Sequence, residues 1–170
     1  MKKLKLFSML LLLIIGFGQV WGVTITGAAY QGKGGSSGSG GSATATVDGV
    51  TITSTKAYYA SDSEIREYQN GTLTVSSSST ITSIVITCTG DNRANFSTTA
   101  GTLSAKGTSP QTWTGSATSV TFTADAQSRW SSIEVTLSGG STEPTGFLNQ
   151  VFFLSSYFTQ LMVISKASRG

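Results

Sequence analysis

Residues 43–54 read Ala43-Thr44-Ala45-Thr46-Val47-Asp48-Gly49-Val50-Thr51-Ile52-Thr53-Ser54. Apolar residues alternate with threonine on both sides of Asp48-Gly49, so successive side chains fall on opposite faces of an extended chain, one dry and one wet. Asp-Gly accepts the left-handed dihedrals of a two-residue type I′ turn, and the two halves are expected to pair as a hairpin. A second stretch repeats the arrangement: Ile65 to Gln69 and Thr72 to Ser76 flank Asn70-Gly71, which reads as another type I′ hairpin.

Working outward, further strands are read at Val23 to Thr26, Ile81 to Thr89, Ala94 to Ser97, Gln111 to Gly115, Val120 to Ala124 and Trp130 to Leu137. Serine and threonine make up 53 of the 170 residues, and the usual helix formers are scarce between 23 and 140, which excludes a helical bundle. The fold class expected is all-β: an antiparallel, jelly-roll-like β-sandwich of about eight to nine short strands. The stretches Ser83-Ile84-Val85-Ile86-Thr87 and Ser132-Ile133-Glu134-Val135-Thr136 share one pattern, as two central strands under the same packing demand would. Residues 32–42, with six glycines and four serines, are expected to form a mobile surface loop. Lys33 there is followed by Gly34 and then by a strand, so the loop is no phosphate cradle.

The ends differ from this domain. Residues 1–22 have the form of a secretory signal helix: Lys2, Lys3 and Lys5, an apolar run from Leu6 to Phe17, and Val20-Trp21-Gly22 at the cleavage end. A secreted or cell-surface location is expected. Residues 23–140 would be the β-sandwich domain and 141–146 a Pro-containing linker. Residues 147–170 form an apolar tail, in which 147–164 lack any charge. Three readings of the tail compete: a stop-transfer helix, an interfacial or docking helix, and a truncated or frame-altered end. Membrane contact is expected only through the signal or residues 147–164.

Without the signal the charge balance is 8 cations against 8 anions, so no basic field exists to attract nucleic acid. The chain has no histidine, which removes Ser-His and Cys-His nucleophiles and histidine metal ligands. Cys88 is the sole cysteine and cannot form an internal disulfide; sharing a face with Ile84 and Ile86, it reads as a buried small hydrophobe. A glycosidase needs two facing carboxylates, and Asp62 and Glu64 are the nearest pair. In an extended segment Arg66 shares their face and neutralises Glu64, so no catalytic residue is expected. No cofactor or metal is expected either. Asp91-Asn92, with Asp62 or Asp125, offers a few hard oxygens for calcium, but their spacing matches no compact calcium loop.

Aromatic rings beside amides and hydroxyls are the usual means of holding sugars. Tyr58, Tyr59, Trp113 and Asn92 are the candidate ligand-binding residues. Tyr58 and Tyr59 are adjacent and point to opposite faces, which should leave one exposed, while Trp130 and Tyr68 are expected in the core. The Thr-x-Thr pairs (44/46, 51/53, 72/74, 87/89, 112/114, 121/123) would suit a flat hydroxyl array only at a fixed repeat; their irregular spacing reads as the wet faces of ordinary strands.

The motifs Asp62-Ser63-Glu64-Ile65-Arg66-Glu67-Tyr68, Asn70-Gly71-Thr72-Leu73-Thr74-Val75, Ile81 to Thr87, Thr112-Trp113-Thr114-Gly115 and Gln127 to Thr136 cover about half the chain. Together they resemble a β-sandwich module recurrent in secreted, often multidomain proteins of gut and oral Gram-negative bacteria. The resemblance implies a jelly-roll-like ancillary domain and assigns no catalytic residue. The expected function is a noncatalytic binding module whose partner is extracellular glycan; the alternative is a structural or adhesive spacer of a surface protein.

Overall fold

A computed structural model describes residues 20–139; the expected signal up to residue 19, the linker and the apolar tail lie outside the described residues. Nine strands form one antiparallel network: β1 (Trp21–Thr26), β2 (Gly41–Val47), β3 (Val50–Ser61), β4 (Glu64–Glu67), β5 (Thr72–Cys88), β6 (Phe96–Ser97), β7 (Thr102–Leu103), β8 (Gln111–Ala124) and β9 (Ser128–Leu137). Among the described residues the only helical turns are of the 3-10 type, at Gly27–Tyr30 and Asp91–Arg93. β1 opens two residues before position 23, with Trp21 opposite Leu137 and Gly22 opposite Thr136.

The β2–β3 hairpin forms as expected. Val47 faces Val50, and Asp48 (φ 45°) and Gly49 (φ 78°) both take the left-handed dihedrals of a type I′ turn. Asn70-Gly71 does something else. Glu67 of β4 pairs with Ala57 and Leu73 of β5 with Ser54, both antiparallel to β3, so β4 and β5 run in the same direction and no hairpin joins them. Only Asn70 has a positive φ (60°), and the two residues clasp the end of β8 instead: Asn70 N–H donates to Ala124 O, and Ala124 N–H to Gly71 O.

Three strands run well beyond their sequence pattern, β3 continuing past Ser54 to Ser61. The stretches 72–76 and 81–89, apart from Thr89, belong to one 17-residue strand, β5, and 111–115 with 120–124 to one 14-residue strand, β8. The Ser76–Thr80 run carries no alternation to read; it is bridged by register irregularities between Ser76 and Ser83. Beyond this break β5 changes partner. Its first half pairs with β3, its second half with β9, and β8 accompanies it on both sides of the break. Since β3 also pairs with β4 and β4 with β9, the four strands β5, β3, β4 and β9 form a closed circuit of pairings. The echoed stretches 83–87 and 132–136 are partners in it, with Ile84 opposite Val135 and Ile86 opposite Ile133.

The inward faces supply one core that includes Ile25, Ile52, Ile65, Leu73, Ile84, Ile86, Phe96, Phe122 and Ile133. Complete burial of side chains of this size contributes roughly 1.5–3 kcal/mol each. Tyr30, Trp113 and Trp130 are buried with them, Tyr30 and Trp130 edge to face with ring centroids 5.5 Å apart. Tyr68, expected in the core, is only half-buried, and its Oη accepts the Gly38 N–H at 2.5 Å.

That contact is one of several that pin the glycine-rich segment 32–42, which sequence composition marks as a mobile loop. Gly35 N–H donates to Ala57 O, Gly40 N–H to Ser36 O, and Gly34 bridges Tyr58. Glycine is required where a side chain would strike the neighbouring strand: a Cβ on Gly34 would lie 2.6 Å from Ala57 O, and φ there is 86°.

Candidate binding face

Three strands create the face. Tyr58 of β3 stands opposite Arg66 of β4, and Arg66 opposite Arg129 of β9, so the three side chains share the outer side of the sheet in adjacent columns. The Arg66 guanidinium lies over the Tyr58 ring, 5.6 Å from its centroid. Two cations placed directly opposite across a strand pair repel each other, and Glu64 relieves this. Its Oε1 accepts from Arg66 Nε at 2.7 Å and is 3.4 Å from Arg129 Nη1. The pairing of Arg66 with Glu64 is the neutralisation expected from their shared face.

The row continues past β9. Gln127 Oε1 accepts from Arg129 Nε and Nη2 at 3.1 and 3.0 Å and from Arg93 Nη1 at 3.5 Å. Arg93 ends the 3-10 turn that contains Asn92. This turn is tied down by Asn95, whose Nδ2 donates to Asn92 O and to Gln127 O, and by Thr89 N–H on Arg129 O. Tyr58, one of the four residues singled out from sequence, therefore opens one polar row that runs through Arg66, Glu64, Arg129 and Gln127 to Arg93; Asn92 precedes Arg93 on the turn and is held there through its backbone O, which accepts from Asn95 Nδ2.

The other two belong elsewhere. Tyr59 packs partly against the core, and its hydroxyl donates to Asp62 Oδ1 at 2.7 Å. Trp113 is 1% exposed and presents no ring face to a ligand, which corrects its reading as a contact residue. Its Nε1 donates to Ala100 O at 2.6 Å, and Gly101 and Gly115 leave the room its indole fills. Arg129, Gln127 and Arg93 went unnoticed in the sequence because their partners lie across strand pairs that only the register reveals.

Two further carboxylates are engaged away from this face. Asp91 Oδ1 accepts the Ser109 N–H at 2.9 Å, and Asp125 binds Lys106 and Ser97, which together hold its pKa below the usual carboxylate range. No group of three or more acidic, cysteine or histidine side chains suited to a metal ion occurs among the described residues. Glu67 is the unexpected one. It is fully buried, shares the inward face with Ile65, and accepts the Lys56 N–H at Oε1 (3.2 Å), while Oε2 has no protein partner. Burial pushes its pKa up to about 7, against smaller opposing effects of the nearby Ser54 hydroxyl and the Lys56 backbone N–H. Period 2 places Glu67 on the face of Ile65, and buried glutamate is rare enough that the pattern alone does not single it out.

A second outer face has a different character. The outward positions of β2, β3, β5 and β8 hold Thr46, Thr51, Ser76 and Ser119 in one row and Thr44, Thr53, Thr74 and Thr121 in the next. Oγ1 atoms of Thr46 and Thr51, and of Thr74 and Thr121, lie 2.9 Å apart. Thr72 and Thr123 pair in a further row, so four of the six Thr-x-Thr pairs align in space although their sequence spacing is irregular.

The chain matches no protein-family model, no curated protein and no solved structure.

Proposed function

We propose that this protein is a secreted, noncatalytic binding module of the jelly-roll-like β-sandwich type, and that its ligand is extracellular glycan. The observation that carries the reading is the row beginning at Tyr58: a half-buried ring on a strand face, continued by guanidinium and amide groups fixed to one another. Sugar rings pack on such rings while donors of this kind bind their oxygens. The circuit of strand pairings and the alternation of buried and wet residues support the sandwich architecture. The lysine-led apolar N-terminal segment supports export.

A glycan-array screen of the full chain, repeated with Tyr58→Ala and Tyr59→Ala, tests the reading. Binding is expected to be lost in Tyr58→Ala and kept in Tyr59→Ala, since the Tyr59 ring leans on the core. A blank array from a chain that unfolds cooperatively would refute it in favour of a structural or adhesive spacer. The burial of Tyr30, Trp113 and Trp130 is the observation that favours this second reading.

A further inference from the structure

The row on the outer face contains three guanidiniums and one carboxylate. Arg66 and Arg129 share Glu64, and Arg129 and Arg93 share Gln127, which is neutral. Glu64 therefore leaves two positive charges in excess, in a chain whose remaining charges nearly balance. Asp91, on the same turn as Arg93, is exposed and directed to the Ser109 N–H.

Donor capacity points the same way. A guanidinium carries five N–H donors, so three carry about fifteen, far more than Glu64 Oε1 and Gln127 Oε1 accept. The side chains are not free to turn away: Arg66 and Arg129 are 28% and 24% exposed, and Nε is committed in both. What remains is a set of N–H groups on held side chains, beside a ring. Guanidinium in this state matches the planar oxygens of a carboxylate or the oxygens of a sulfate ester, each able to accept two parallel hydrogen bonds. A neutral sugar offers hydroxyls alone and would leave the excess charge unmet.

We infer that the row Tyr58–Arg66–Arg129–Arg93 binds an anionic saccharide, with a sugar ring against the side of the Tyr58 ring that Arg66 does not cover and the guanidiniums on its carboxylate or sulfate groups. The inference rests on the glycan reading above and adds the ligand's charge. Glu64 acts as a spacer that holds two guanidiniums together, and Gln127 does the same for the second pair without cancelling charge.

Affinity electrophoresis of the full chain in gels containing polygalacturonate, dextran sulfate or neutral dextran tests it. Retardation by polygalacturonate, by dextran sulfate or by both is expected, with none by neutral dextran; the two charged polymers distinguish carboxylate from sulfate as the group recognised. Arg93→Gln and Arg129→Gln should each weaken binding roughly tenfold, the scale of one charge-assisted hydrogen bond. Added salt should weaken it further. Arg93 lies on a surface turn, so its variant keeps the test valid should Arg129→Gln disturb the sheet; thermal unfolding reports on both. Binding to neutral dextran equal to that of the charged polymers, or unchanged affinity in Arg93→Gln, would overturn the anionic inference and leave the glycan reading standing. Absence of binding to any polymer, together with a blank array, would overturn both.

Discussion

Replacing Glu67 by glutamine should make the protein more stable at neutral pH and remove most of the pH dependence of its stability. The carboxyl is fully buried, and its pKa stands at about 7 where an unfolded chain would show about 4.5. Between these values the unfolded chain has released a proton that the folded chain still holds. Stability therefore falls as pH rises, by at most about 1.4 kcal/mol per pH unit, and levels off above about 7. Over the whole interval the loss is about 3 kcal/mol, which for a domain of this size lowers Tm by roughly 10 °C. Glutamine keeps the acceptor that Lys56 N–H uses and cannot ionise. Thermal unfolding at pH 5 and pH 8 is the assay. The parent should melt lower at pH 8 than at pH 5, the Glu67→Gln variant should melt at nearly the same temperature at both, and the two proteins should differ most at pH 8. The absence of histidine leaves no other ordinary side chain titrating across this window, so the comparison is clean. A Glu67→Gln variant with the same pH 5 to pH 8 drop as the parent would refute the reasoning.

Two further outcomes follow from the same interior. Gly71→Ala would place a Cβ 2.5 Å from Glu67 Oε1 and 2.8 Å from Tyr68 O; overpacking of this kind costs about 1–3 kcal/mol, visible as a lower denaturation midpoint with an unchanged m-value. Cys88, buried and with its thiol pushed up to about 12, should resist a disulfide reagent at pH 8 in the native protein and react fully in guanidinium; native reaction at the unfolded rate would contradict its placement.

How far the chain could be read beforehand depended on the distance over which each feature is decided. The β2–β3 hairpin was legible because Asp48-Gly49 and its alternating flanks lie within twelve residues. Asn70-Gly71 carries the same local signal, but its backbone groups bond with Ala124, more than fifty residues away, a partner that no local pattern shows. β5 and β8 were each split in two because Ser76–Thr80 and Ser116–Ser119 carry no period, although a paired strand passes through both. In the candidate site, Glu64 and Arg66 could be joined from their spacing alone. Arg129 could be added only through its register with Arg66, and Trp113 removed only through the glycines that make room for it.

The circuit β5–β3–β4–β9 has a bearing on how the molecule breathes. A strand at the end of an open sheet can peel away by giving up one ladder, as β1, β2, β6 and β7 can, each pairing with a single neighbour. A strand inside the circuit is held along both neighbours, and opening one ladder leaves the ends joined the other way round. Amide hydrogens of β3, β4, β5 and β9 should thus exchange with solvent only through global unfolding, while those of the four outer strands exchange through local openings. The row from Tyr58 to Arg129 stands on three of the slow strands, which gives its guanidiniums a footing that outlasts the fluctuations of the edges.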